Sequence, residues 1–177
     1  TGNFLVDGFK VEKLAQKYST PLYIYSFKKL KENINNFKNT FKKINPLICF
    51  AVKSNTNRTL LHEISKFGLG ADVVSIGELM KALKSGIKPH KIVFSGVGKT
   101  TKELVYAIDK KILLINAESR SEILEIEKIA KTKNKKIAIG IRFNPNIDAK
   151  TLSQISTGKK ENKFGVSEKS LLELIKY

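Results

Sequence analysis

Apolar positions along this chain alternate between two spacings. Short continuous or alternating runs give way to residues spaced three and four apart, and then the cycle repeats. Residues 21–25 (Pro-Leu-Tyr-Ile-Tyr) read as a strand, and Phe27, Leu30, Ile34, Phe37 and Phe41 follow at helical spacing. Residues 47–52 form an unbroken apolar run, the pattern of a strand covered on both faces. Leu60, Leu61, Ile64 and Phe67 mark the next helix, closed by Gly68. The same cycle predicts strands at 71–75, 91–95, 112–117 and 136–142, with helices at 77–85, 101–109 and 121–131. A polar stretch from 144 to 163 interrupts it, and a last helix begins near Ser167.

Helix starts carry their own signal. Ser75–Glu78, Thr100–Glu103 and Ser119–Glu122 each fit Ser/Thr-x-x-Glu ahead of an apolar helix. Repeated strand–helix units predict a parallel sheet with right-handed crossovers. About five such units suit either a (β/α)8 barrel or a doubly wound sheet. A whole barrel takes about 250 residues, and this chain has 177, ending inside a helical pattern. The expected fold is therefore α/β, an incomplete (β/α)8 barrel, as of a piece of a longer protein.

Composition changes this picture little. With 41% hydrophobic and 28% charged residues the chain reads as globular. No apolar run reaches the ~18–20 residues of a membrane span, and the first residues lack the pattern of a signal peptide. A single cysteine, Cys49, excludes an internal disulfide and points to the cytoplasm. The net charge of +17 suggests a nucleic-acid partner, but only Arg58, Arg120 and Arg142 of the 33 basic residues are arginine. The lysines are scattered over many predicted helix faces, so a solvated surface is expected and no nucleic-acid partner.

In parallel barrels chemistry sits at the C-terminal ends of the strands. Those ends carry Lys53-Ser54-Asn55, Asp72 through Ser75 with Glu78, Ser95 through Lys99, Asn116 through Ser119, and Arg142-Phe143-Asn144-Pro145. Lys53 ends an apolar strand. It is either a partly desolvated amine, activated for imine formation, or a lysine that has merely reached solvent. Glu78 is either a site carboxylate or only the capping partner of Ser75, and Arg142 either a site cation or a structural ion-pair partner. Gly96-Val97-Gly98-Lys99-Thr100 lies between strand and helix, yet the phosphate-loop motif needs a glycine where Val93 stands. His62, His90 and Cys49 form no cluster with zinc spacing, so no metal is expected.

Several ordered stretches resemble the diaminopimelate decarboxylase family. They are residues 20–26, 49–55 (Cys-Phe-Ala-Val-Lys-Ser-Asn), 68–75, 91–100, 116–119, 142–148, and 156–158 through 163–166. The resemblance implies a pyridoxal-phosphate barrel of the alanine racemase-like type followed by a β-domain. Residues 1–20 would associate with that β-domain, and 21–177 would form the N-terminal part of the barrel. It implies that Lys53 is the Schiff-base lysine. Asp72 and Glu78 would form an acidic pair lining the cofactor site, and Arg142 would be a fifth-strand arginine near the cofactor. Residues 156–163 would be a mobile loop over the site. The implied activity is decarboxylation of meso-diaminopimelate to L-lysine, the last step of lysine biosynthesis, in a cytoplasmic homodimer with shared active sites. Ornithine, arginine or carboxynorspermidine decarboxylation, or a truncated non-catalytic chain, are the alternatives. The chain departs from the family pattern at Ile76, where glycine is usual, and at Leu152, where histidine is usual.

Overall fold

The computed structural model describes residues 4–147, 150 and 164–176. Leu152 and the predicted loop at 156–163 lie outside them. The chain divides into two compact units, Thr1–Pro46 and Leu47–Tyr177.

In the first unit, β1 (Leu5–Val6) and β2 (Phe9–Lys10) form an antiparallel hairpin. The Asp7-Gly8 turn between them has positive φ at both residues, 48° and 87°. This is the chemistry a two-residue hairpin turn demands, and Asp-Gly supplies it. Helix α1 (Val11–Tyr18) follows, and α2 runs over Phe27–Thr40. Ser26 caps α2 by accepting from the Lys29 amide, while Asp7 accepts from the Ser26 hydroxyl and the Lys28 amide. The Ser26 hydrogen bond leads the causes that hold the Asp7 carboxyl below its ordinary range. The expected strand at 21–25 forms no ladder among the described residues, and Tyr23 is 84% exposed. Alternation alone does not make a strand, which also needs a hydrogen-bonded neighbour.

The second unit is a five-stranded parallel sheet of β3 (Cys49–Ala51), β4 (Gly70–Val73), β5 (Ile92–Phe94), β6 (Leu114–Ala117) and β7 (Ile139–Ile141), in that spatial order. Helices α3 (Arg58–Lys66), α4 (Ile76–Lys84), α5 (Thr101–Asp109) and α6 (Arg120–Thr132) connect successive strands, and each packs on the next. Helix α7 covers Glu168–Ile175. Strand order equal to chain order decides between the two expected architectures. A doubly wound sheet reverses direction at a switch point, and this sheet never does. It is a barrel wall.

The β3 run is less covered than its apolar sequence predicts. Its three residues are only partly buried, because β3 is the sheet's edge among the described strands. Elsewhere the period of two sorts the side chains. Ala71 and Val73, Ile92 and Phe94, and Ile115 and Ala117 are all buried at 0% exposure and pack with Leu61, Leu79 and Leu104 from the helices. The alternate positions, Asp72, Val93 and Ser95, Asn116, and Gly140, lie on the opposite face by register. Thr100–Glu103 is a complete capping box. Ser75 and Ser119 cap their helices, but Glu78 and Glu122 each reach one residue further back, to the amides of Val74 and Glu118. No helix among the described residues is long and apolar enough to cross a membrane.

Candidate active site

A cavity of about 680 Å³ opens at the C-terminal ends of the strands in the second unit. Every strand of this sheet contributes to its wall: Lys53 after β3, Asp72 from β4 and Val74 after it, Ser95 to Val97 after β5, Asn116 from β6 and Glu118 after it, and Arg142 after β7 with Phe164 beside it. Three of the four residues singled out in the sequence, Lys53, Asp72 and Arg142, therefore meet in one place.

The path of the chain to Lys53 decides between its two sequence readings. The chain leaves β3 through a single 3-10 turn, Val52–Ser54, whose end is held by the Ser54 hydroxyl and the Asn55 amide donating to Ala51 O and Val52 O. Val52 is buried at 0% exposure, and the turn swings Lys53 out, exposed. Of its two sequence readings this is the lysine that has reached solvent, not the partly desolvated amine. What remains is an accessible primary amine on a residue that lines the cavity.

Asp72 is held by a row of side chains across three adjacent strands. The Ser95 hydroxyl donates to its Oδ1, and Asn116 Nδ2 donates to the Ser95 oxygen at 3.0 Å. The register places them: Asp72 faces Val93, two before Ser95, and Val93 faces Leu114, two before Asn116. On β7, Asn116 lies opposite Gly140, where a Cβ would overlap its side-chain oxygen. The glycine makes room for the amide. Asp72 also acts on Cys49. Burial first, and the Asp72 charge second, push that thiol above its ordinary value.

A second group closes the other side. Glu118, 7% exposed, accepts from Arg142 Nη1 at 3.1 Å and from the Gly165 amide at 2.9 Å. The Arg142 guanidinium lies 4.7 Å from the centre of the Phe164 ring. Gly165 has φ +74°, and a Cβ there would stand 2.7 Å from Arg142 O, so this approach requires glycine.

Glu78 is not among the lining residues. One of its carboxylate oxygens accepts from Val74 N, which fixes the turn that carries Val74 into the wall. Lys99, in the stretch that failed the phosphate-loop test, is 1% exposed. Its ammonium donates to Gly96 O, Asn116 O and Glu122 at 2.6–2.7 Å, bracing the ends of β5 and β6 from behind. Sequence reasoning placed Ser95, Asn116 and Glu118 at strand ends without giving them roles. The available signal was their parity with Asp72 and Arg142 along each strand. No group of three or more metal-ligating side chains occurs among the described residues.

Comparison with known proteins agrees with this geometry. The chain is 53% identical over 166 residues to diaminopimelate decarboxylase of Helicobacter pylori, a match covering 94% of this chain and 41% of that one. The crystal structure of the H. pylori enzyme complexed with L-lysine superposes with a TM-score of 0.89 at 51% identity, over 93% of this chain and 42% of that one. The M. jannaschii diaminopimelate decarboxylase in complex with L-lysine gives 0.89 at 37% identity, over 99% and 42%. The chain thus spans about two-fifths of the length of these relatives. A family model described as pyridoxal-dependent decarboxylase, pyridoxal binding domain, matches residues 27–177. On that match, and on a parallel wall that gathers lysine, aspartate and arginine at its strand ends, the chain belongs to the pyridoxal-dependent decarboxylases.

Proposed function

We propose that this chain is the N-terminal part of a diaminopimelate decarboxylase that converts meso-diaminopimelate to L-lysine and carbon dioxide, with Lys53 anchoring pyridoxal phosphate. The observation that carries the reading is the convergence of Lys53, Asp72 and Arg142 on one cavity. The donor set suits the cofactor. Lys53 offers an accessible amine for its aldehyde, Arg142 a planar cation for an anionic oxygen, and Val74 and Phe164 apolar walls for a flat ring. When bound, pyridoxal phosphate supplies an electron-poor ring that accommodates the electron pair left as carbon dioxide departs.

The chain's own residues bind, orient and exchange. Lys53 would hold the cofactor through its amine, and the same amine, lining the cavity, would be able to carry a proton when substrate is bound. Asp72 keeps its orientation through Ser95 and Asn116. Glu78 acts at one remove, through the Val74 turn. The names of the relatives support meso-diaminopimelate over ornithine, arginine or carboxynorspermidine. In the same reading residues 1–20 associate with a following β-domain, and 21–177 form the first part of the barrel. The complete enzyme works as a cytoplasmic homodimer with shared active sites.

The test is carbon dioxide release by the full-length protein loaded with cofactor. Turnover of meso-diaminopimelate at least about a hundredfold above ornithine and arginine is expected, since a site built for a second amino-acid end rejects substrates lacking it. Comparable or greater turnover of ornithine or arginine contradicts the substrate assignment.

A further inference from the structure

Arg142 does not hold its place alone. Its side chain is 37% exposed, and such a long side chain samples many rotamers unless something fixes it. The Glu118 carboxylate does so, and it does more. Glu118 follows β6, Arg142 follows β7, and Gly165 precedes Val166, which pairs in parallel with Phe143. Val166 N donates to Arg142 O, and Asn144 N donates to Val166 O, both at 2.8 Å. One carboxylate with 5% side-chain exposure thus bridges three successive segments of the wall, with one oxygen on a guanidinium and the other on a backbone amide. Phe164 lies against the guanidinium, and Glu118, Arg142 and Phe164 all line the cavity.

We infer that Glu118 is a positioning residue for the cofactor, acting through Arg142. A carboxylate buried this deeply is costly unless its charge is met. Here the guanidinium meets it and is fixed in return, at the wall of the cavity that Arg142 lines. A tether of Gly165 alone needs only a neutral acceptor, and serine or asparagine would serve there. The negative charge serves Arg142. The inference rests on the reading that this cavity holds pyridoxal phosphate.

The test is a double-mutant cycle in the full-length protein, with pyridoxal phosphate affinity read by absorbance titration and the melting temperature recorded beside it. Glu118→Gln keeps the size and an acceptor for Gly165 but removes the charge. It is expected to weaken affinity about tenfold, as contacting partners typically couple. In an Arg142→Met background the same substitution should change affinity less than about twofold. Equal losses in both backgrounds, or no loss in the wild-type background, overturn the inference and leave Glu118 as a backbone tether. If Glu118→Gln does not fold, Glu118→Asp enters the same cycle: it keeps the charge but falls one methylene short. A wild-type protein that takes up no cofactor removes the reading of the cavity and this inference with it, an outcome distinct from an uncoupled cycle.

Discussion

At the scale of single residues, the site depends on small side chains as much as on charged ones. Gly140 leaves the space that Asn116 occupies, and Asn116 holds Ser95, which holds Asp72. Gly140→Ala is therefore expected to destabilise the protein by about 1–3 kcal/mol, the usual cost of overpacking, and to weaken cofactor binding by displacing the row. An unchanged melting temperature together with unchanged affinity contradicts that role. Cys49 reports on Asp72 from the other side. Burial and the Asp72 charge both disfavour its thiolate, so Asp72→Asn should lower the thiol pKa and speed alkylation of Cys49 at fixed pH. A slower or equal rate places the two groups farther apart than described. The sequence made Lys53, Asp72 and Arg142 legible because strand ends in a parallel sheet converge on one side. It left Lys53 with two readings, partly desolvated or solvent-reaching, and could not choose between them, since the 3-10 turn after β3 has no composition signature. It left Glu78 with two readings, and the structure puts its carboxylate on the Val74 amide.

At the scale of elements, caps were the most readable feature and strand lengths the least. The Thr100–Glu103 box closes reciprocally, and Glu103 also accepts from the Ile76 amide, joining the starts of α5 and α4. Burial raises the Glu103 pKa, but the Thr100 and Ile76 hydrogen bonds outweigh it and hold the carboxyl below its ordinary value. A depressed carboxylate contributes stability above its unfolded pKa of about 4.3 and loses it as pH falls through the folded value. Glu103→Gln should accordingly lower the melting temperature at pH 7, with the gap from wild type narrowing below about pH 4. A gap that stays constant with pH contradicts an ionised cap. Thr100→Ala should cost about 1 kcal/mol at pH 7, and less once Glu103 is protonated, because the Thr100 hydroxyl also donates to the Glu103 carboxylate. Strands came out shorter than their apolar runs, as with residues 47–52 against Cys49–Ala51, because hydrophobicity continues into turns where the ladder stops. The β1–β2 hairpin escaped the sequence reading although Asp7-Gly8 announces it. Its strands are two residues each, too short for alternation to register.

At the scale of the whole molecule, sequential strand order makes this sheet part of a barrel wall, and the match to two-fifths of its relatives' length agrees. Among the described residues β3 and β7 pair with no further strand of the sheet, and apolar groups such as Ile44, Leu113, Ile139 and Leu172 are exposed. Such surfaces drive association. Residues 1–177 expressed alone should therefore scatter light as aggregates, and a monodisperse monomer at micromolar concentration would contradict this. The repeated strand–helix rhythm made the barrel legible. The grouping of the chain into the units Thr1–Pro46 and Leu47–Tyr177 was not, because it depends on contacts between residues far apart in sequence. Everything proposed for the cavity depends on one amine. The most direct measurement is borohydride reduction of the cofactor-loaded full-length protein, followed by digestion and mass spectrometry. The account predicts one reduced pyridoxyl group, carried by the peptide containing Lys53 and lost in Lys53→Ala. The label on a different lysine, or an unchanged yield in Lys53→Ala, would contradict it.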